Sequence, residues 1–139
     1  MNIKVTKPVS KIMTRNVVTV DINADLSDAC LLFLTHKIRH LPVVKDDSMV
    51  GLLSYNDVLR LSFGESYDDK SEIDDTVFKL LQVEQIMVTD PIKIHANCSI
   101  RKAAKIMINN KFHALPVIEK HKVVGMISTT DLLKYLITD

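Results

Sequence analysis

At 139 residues, with 47% hydrophobic and 25% charged residues, the chain has the composition of an ordinary globular protein and the length of about one domain. A net charge of +1, no Trp, three Tyr and four Phe, with no basic stripe and no aromatics interleaved with basic residues, argue against nucleic-acid binding. No apolar run approaches the roughly 18 residues of a membrane span, and the first eight residues lack the apolar region of a signal peptide, so cytoplasmic residence is the expectation.

Val17-Val18-Thr19-Val20 is short and β-branched, and predicts a first strand. Leu26, Ala29, Cys30, Phe33 and Leu34 then recur at helical spacing, which predicts an amphipathic helix facing a core. Asp25 or Ser27 can cap it with a side-chain oxygen. Leu41-Pro42-Val43-Val44 and Met49-Val50-Gly51-Leu52-Leu53, joined by a polar turn, read as a hairpin. Pro42 cannot donate to a ladder and so implies an edge strand or a strand start. A helix follows from about Tyr55 to Phe63.

Residues 64–82 carry two basic residues against six acidic ones, an imbalance found nowhere else in the chain. Residues 64–70 read as an acidic loop, and Ile73, Val77, Leu80 and Leu81 as a short amphipathic helix with Asp74 and Asp75 in its first turn, where the helix dipole favours anions. This stretch is either a solvated connector with one packed face or a docking element for a partner.

The same series then begins again. Ile92-Lys93-Ile94 answers the first strand; Ile100, Ala103, Ala104, Met107 and Ile108, with Asn97 or Ser99 as cap, answer the helix. Leu115-Pro116-Val117-Ile118 and Val123-Val124-Gly125-Met126-Ile127 give a second hairpin, and a last helix runs from about Thr129 to Leu136. The order β-α-β-β-α is thus written twice, an α/β (α+β) architecture with repeats at 1–63 and 83–139 and an insert at 64–82.

A shift of 74 residues superposes the repeats without a gap. Identical residues include Val9/Val83, Met13/Met87, Leu41/Leu115, Pro42/Pro116, Val43/Val117, Gly51/Gly125, Ser54/Ser128 and Asp57/Asp131. Each repeat, at just over 50 residues, is marginal for burying its own core, so the halves are expected to fold against each other. Most identities are apolar, yet Gly, Ser and Asp also recur, where a core alone would not demand them. A repeated polar constellation suggests a repeated site.

The familiar catalytic signatures are missing. Only Gly51, Gly64 and Gly125 are present and no two are close, which excludes a P-loop and a GxGxxG fingerprint. There is no GxSxG, HExxH or EF-hand loop, and no carboxylate pair set among apolar neighbours, so an enzyme is not expected. Cys30 and Cys98 occupy unmatched repeat positions and read as small hydrophobes. His36 and His40 span a helix end rather than one helical face, so no metal site is read there.

Gly51-Leu52-Leu53-Ser54-Tyr55-Asn56-Asp57 and Gly125-Met126-Ile127-Ser128-Thr129-Thr130-Asp131 each join a strand to a helix. Ser followed three residues later by a carboxylate is a capping-box pattern, in which each side chain satisfies the other's backbone donor. The same geometry also suits a ligand. A helix N-terminus favours a phosphate, and an ionised Asp accepts both hydroxyls of a ribose cis-diol.

Together with Val-x-x-Ile-Met-Thr at residues 9–14 and His40-Leu41-Pro42-Val43-Val44, these motifs resemble a cystathionine beta-synthase (CBS) domain, and residues 83–135 resemble a second. The resemblance covers nearly all of the chain except the acidic insert and the extreme termini. It implies a tandem pair, a Bateman module, of pseudo-twofold symmetry with two clefts between its repeats. It also implies binding of an adenosine nucleotide (AMP, ADP or ATP) or S-adenosylmethionine as a regulatory ligand, with no cofactor required. The expected partners are a second copy in a homodimer and a regulated enzyme or transporter. The alternative is a ligand-free scaffold for dimerisation or protein docking.

In the family each cleft takes a ribose-binding Asp from one repeat and the residues before the Leu-Pro-Val strand from the other. Carried over, one cleft combines Ser128, Thr130 and Asp131 with Thr14, Val17, Thr19, Ile38, Arg39 and His40, where Arg39 and His40 face phosphate. The other combines Ser54, Asn56 and Asp57 with Val88, Pro91, Lys93, Phe112 and His113. This second set departs from the pattern: Val88 replaces Thr14, and Phe112-His113-Ala114 carries less charge than Ile38-Arg39-His40. Two other roles stay open, an exposed helix-end cation for Arg39 and a hydrogen-bonded, half-buried histidine for His113.

Overall fold

Both repeats fold in the order that the changes of hydrophobic period predict. The computed structural model describes residues 3–63 and 75–138. The first repeat runs β1 (Val20–Asp21), α1 (Leu26–His36), β2 (His40–Lys45), β3 (Ser48–Ser54) and α2 (Tyr55–Phe63). Next come α3 (Asp75–Leu80), α4 (Val83–Ile86) and β4 (Val88–Thr89). The second repeat follows as β5 (Ile94–His95), α5 (Ile100–Asn110), β6 (Ala114–Glu119), β7 (Lys122–Ser128) and α6 (Thr129–Ile137). The acidic loop at 64–70, with Ile73 and Asp74 of the expected connector helix, lies outside the described residues.

The chain divides into two compact units whose ends do not coincide with the ends of the repeats. One unit is residues 18–91. Its sheet has the order β1-β2-β3-β4, parallel between β1 and β2 and antiparallel elsewhere. The other joins residues 1–17 to residues 92–139, with the sheet order β5-β6-β7 and an isolated antiparallel bridge from Thr14 to Met126 on its free side. Thr14 and Met126 are the 74-residue counterparts of Val88 and Leu52, which pair in the first unit. Each hairpin is therefore flanked by a segment that belongs, in sequence, to the other repeat.

Burial explains this exchange. Val83 is fully buried in a core with Val20, Leu26, Ala29, Phe33, Leu41, Val43 and Leu53. Val9 and Met13 are buried with Ile94, Ile100, Ala103, Met107, Leu115, Val117 and Ile127. Neither hairpin-and-helix set could cover its own apolar face with so few residues. The glycines serve the same contact. A Cβ on Gly51 would lie 2.3 Å from Met87 Sδ and 3.0 Å from the Val88 carbonyl oxygen; on Gly125 it would lie 2.5 Å from Met13 Sδ and 2.9 Å from the Thr14 oxygen. The recurrence of Gly in the polar motif is thus a packing requirement, and the side chain it makes room for is the recurring Met.

Capping fixes the helix starts. Asp25 accepts from the Asp28 N–H at 2.9 Å and Ser99 from the Lys102 N–H at 3.1 Å. Lys37 and Lys111 end α1 and α5 in the left-handed conformation. The hairpins turn through Asp46-Asp47 and Lys120-His121, all four residues at positive φ, as a two-residue turn matching the strand twist requires.

Three expectations need correction. Residues 17–20 and 92–94 form strands of only two residues each, Val20–Asp21 and Ile94–His95, because only these lie opposite the paired part of the next strand. Pro42 is in a strand flanked on both sides, but β1 begins its pairing at Val43, so no β1 residue is paired with the proline. Leu34 and Ile108 were expected to face the core and are 63% and 74% exposed. At about 100° per residue they lie about 80° round from Leu26 and Ile100, past the edge of the buried stripe.

Candidate functional site

The junction of β7 and α6 carries a connected polar constellation. The Ser128 hydroxyl accepts the Asp131 N–H at 3.1 Å, and Asp131 Oδ2 accepts the Ser128 N–H at 3.0 Å, a complete capping box. Capping leaves acceptor capacity on the carboxylate. The Thr14 hydroxyl uses part of it, donating across both oxygens at 3.4 Å to Oδ1 and 3.3 Å to Oδ2. Thr14 is set there by its backbone: its N–H donates to the Met126 oxygen at 2.8 Å, and its carbonyl accepts the Met126 N–H at 2.9 Å. Gly125 is what lets that segment approach so closely.

The two Thr14 contacts are at the long, weak end of hydrogen bonding. Thr14 is exposed and Asp131 half-buried, so an incoming pair of hydroxyls can take over the carboxylate oxygens without breaking a strong bond. The exposed side chain of Thr130 and the half-buried Val17 belong to the same unit. Thr19, Ile38, Arg39 and His40 belong to the other.

In residues 18–91 the equivalent junction differs. Ser54 accepts the Asp57 N–H at 3.1 Å, but the reciprocal bond has no counterpart among the described hydrogen bonds. Asp57 Oδ1 meets Arg60 Nη1 at 3.3 Å instead, and the position of Thr14 is taken by the exposed Val88. Asn56, exposed, and Pro91 share this unit, whereas Lys93, Phe112 and His113 do not. Sequence reasoning missed Arg60, although an Arg three residues after an Asp on a helix is a readable pairing signal.

The residues before each Leu-Pro strand are tied to the start of the final helix by backbone. The Arg39 oxygen accepts the Tyr55 N–H at 2.8 Å, and the His113 oxygen accepts the Thr129 N–H at 3.0 Å. Ile38 and Arg39 line a shallow pocket of about 240 Å³ with Phe33, Leu34, Lys37 and Tyr55. Phe112 and His113 line a groove of about 540 Å³ between α5 and α6. Phe33 and Tyr55, with ring centroids 5.3 Å apart, stand in the first where Met107 and Thr129 stand in the second. Arg39 and His113 are both exposed.

Among the described residues no group of three or more His, Cys, Asp or Glu is placed to hold a metal ion, and no helix is long and apolar enough to cross a membrane.

A family model described as the CBS domain matches residues 9–64 and again 83–138. MJ1225 of Methanocaldococcus jannaschii is 31% identical over 136 residues, covering 97% of this chain and 45% of that protein. Its crystal structure matches with a TM-score of 0.80 at 26% identity, over 94% of this chain and 48% of the other. The chain spans less than half the length of the first curated relatives it matches. The crystal structure of CBSX2 in complex with AMP matches with a TM-score of 0.77 at 23% identity, over 94% and 96% of the two chains. The CBS domain pair of MJ0100, in complex with 5′-methylthioadenosine and S-adenosyl-L-methionine, matches with a TM-score of 0.74 at 22% identity, over the same shares. At these identities the last two show a common fold.

Proposed function

The chain belongs to the CBS-domain family, and on that premise we propose that it is a regulatory, non-catalytic module. It binds an adenosine-containing ligand and transmits occupancy through association with a second copy or with a partner enzyme or transporter in the cytoplasm. The observation that carries this reading is the Asp131 carboxylate, part of a completed cap and faced by the exposed Thr14 hydroxyl through weak contacts. A ribose cis-diol matches it: two donors for two acceptor oxygens at a helix start. Ser128 and Thr130 flank that position. Arg39 and His40, with Thr19 and Ile38, are assigned the rest of the ligand on the family resemblance alone.

CBSX2 with AMP and the MJ0100 pair with its two adenosine compounds support the ligand class. AMP, ADP, ATP and S-adenosylmethionine are the candidates. Asp57, with Ser54, Asn56, Lys93, Phe112 and His113, forms the proposed second and weaker site.

Association is supported by apolar helix faces: Leu31 and Leu34 on α1, and Ile108, Leu133 and Leu136 on α5 and α6, are all more than half exposed. Such patches mark interaction surfaces. Calorimetric titration of the four compounds tests the reading. Asp131→Ala, with the fold verified by circular dichroism, removes the tighter site; unaltered affinity in that variant would refute the assignment.

A further inference from the structure

The two ribose-type carboxylates occupy equivalent places in a duplication, yet their surroundings have diverged. Asp131 is directed at its own helix start and at a neutral hydroxyl, Thr14. Asp57 has neither contact. Its Oδ1 is held by the guanidinium of Arg60, 3.3 Å away, and Val88 offers no hydroxyl. The residue equivalent to Arg60 is Lys134, and no ion pair between Lys134 and Asp131 exists among the described residues. Arg presents a rigid fork that suits a carboxylate one helical turn back, whereas the flexible, strongly hydrated Lys ammonium gains less there.

We propose that Arg60 is a specificity-determining residue that weakens ligand binding at Asp57, so that the duplication yields a tight site at Asp131 and a weak one at Asp57. This rests on the reading that both carboxylates take ribose hydroxyls. A diol arriving at Asp57 competes with a cation on one of its two oxygens, whereas one arriving at Asp131 competes only with a neutral hydroxyl at long range. Arg60 is 81% exposed and the Asp57 side chain 29%, so the competition is modest and screened by salt. Pairs of this kind are worth up to about a fivefold change in an equilibrium constant. The consequence is graded sensing: the first site fills at low ligand and the second only at higher concentration.

The test isolates the Asp57 site in the full chain. With Asp131→Ala removing the other site, AMP is titrated calorimetrically against Asp131→Ala and against Asp131→Ala with Arg60→Met. The double variant is expected to bind about two- to fivefold more tightly at low salt, with the gain vanishing near 1 M salt, where the Debye length is about 3 Å. Equal affinity at low salt overturns the proposal, and weaker affinity overturns it by making Arg60 a ligand contact. Absence of binding by both variants also overturns it, since Asp57 then holds no ligand. If Asp131→Ala unfolds, Asp131→Asn, which keeps an acceptor for the cap, carries the same comparison. The unmodified chain is titrated in parallel: no heat there sinks the nucleotide reading itself, while heat there without a gain from Arg60→Met sinks only the role of Arg60.

Discussion

Replacing Gly125 with Ala tests the claim that the recurring glycines exist to admit the neighbouring segment. Neither Gly51 nor Gly125 has a positive φ, so the backbone at Gly125 suits any residue and only space is at issue. The new Cβ would sit 2.5 Å from Met13 Sδ, 2.8 Å from Met13 Cγ and 2.9 Å from the Thr14 oxygen. Carbon needs about 3.5–4.0 Å from such atoms. Met13 would have to withdraw by about 1 Å inside a packed core, where it is 8% exposed. The Thr14 carbonyl, held by the Met126 N–H at 2.9 Å, would have to move as well. Overpacking of this kind costs about 1–3 kcal/mol, and at about 3 °C per kcal/mol for a chain of this size the melting temperature should fall by about 3–10 °C. Thermal unfolding reads the shift, and a double-mutant cycle with Met13→Ala identifies its cause. Met13→Ala alone costs about 2–5 kcal/mol, but it removes the closest clash, so the two substitutions together should cost less than their sum by at least about 0.5 kcal/mol. An unchanged melting temperature for Gly125→Ala, or strict additivity, would refute the packing argument.

Two further outcomes follow from the caps. Ser128→Ala removes the acceptor of the Asp131 N–H and should cost about 1 kcal/mol in denaturant unfolding, while leaving the Asp131 carboxylate in place to bind ligand; loss of binding out of proportion to stability would show that Ser128 touches the ligand directly. Asp25 has its carboxyl held below its ordinary value of 3.8, first by the Asp28 N–H and then by the Ser27 hydroxyl. A depressed carboxyl contributes stability that is fully present above its unfolded value and is lost as the pH falls through the folded one. Unfolding measured from pH 6 downward should therefore show an acid slope below about pH 4 that Asp25→Asn flattens; an identical slope in that variant would contradict the assignment.

Hydrophobic spacing located α1, α2, α5, α6 and both hairpins, because helices and hairpins bury faces that recur at a local period: Leu26, Ala29 and Phe33 are all buried, as are Ile100, Ala103 and Met107. It gave no sign of the four-residue α4, and in α3 Phe78 is buried while Leu80, expected on the packed face, is 76% exposed. The short strands were overextended because β-branched sequence predicts an extended backbone, not a pairing partner. Val17 and Thr19 have none in the ladder. The segment exchange was not legible. A 74-residue repeat says which residues are equivalent, but Val9 and Val83 look the same whether each packs on its own hairpin or the other's. That choice is made by long-range burial and by the gap above each glycine. Asp131 was visible as a candidate from the motif and its Thr14 partner only through the resemblance, while Arg60 stands at a readable three-residue spacing from Asp57 that by itself gives no hint of competition with a ligand.

Occupancy of the Asp131 site separates a ligand-binding module from a ligand-free scaffold. Calorimetric titration of the folded chain with AMP, ADP, ATP and S-adenosylmethionine should give saturable heat for at least one of them, with a tighter phase that disappears in Asp131→Ala. Folded protein that yields no heat with any of the four, at concentrations well above those expected for a cellular metabolite, would contradict it.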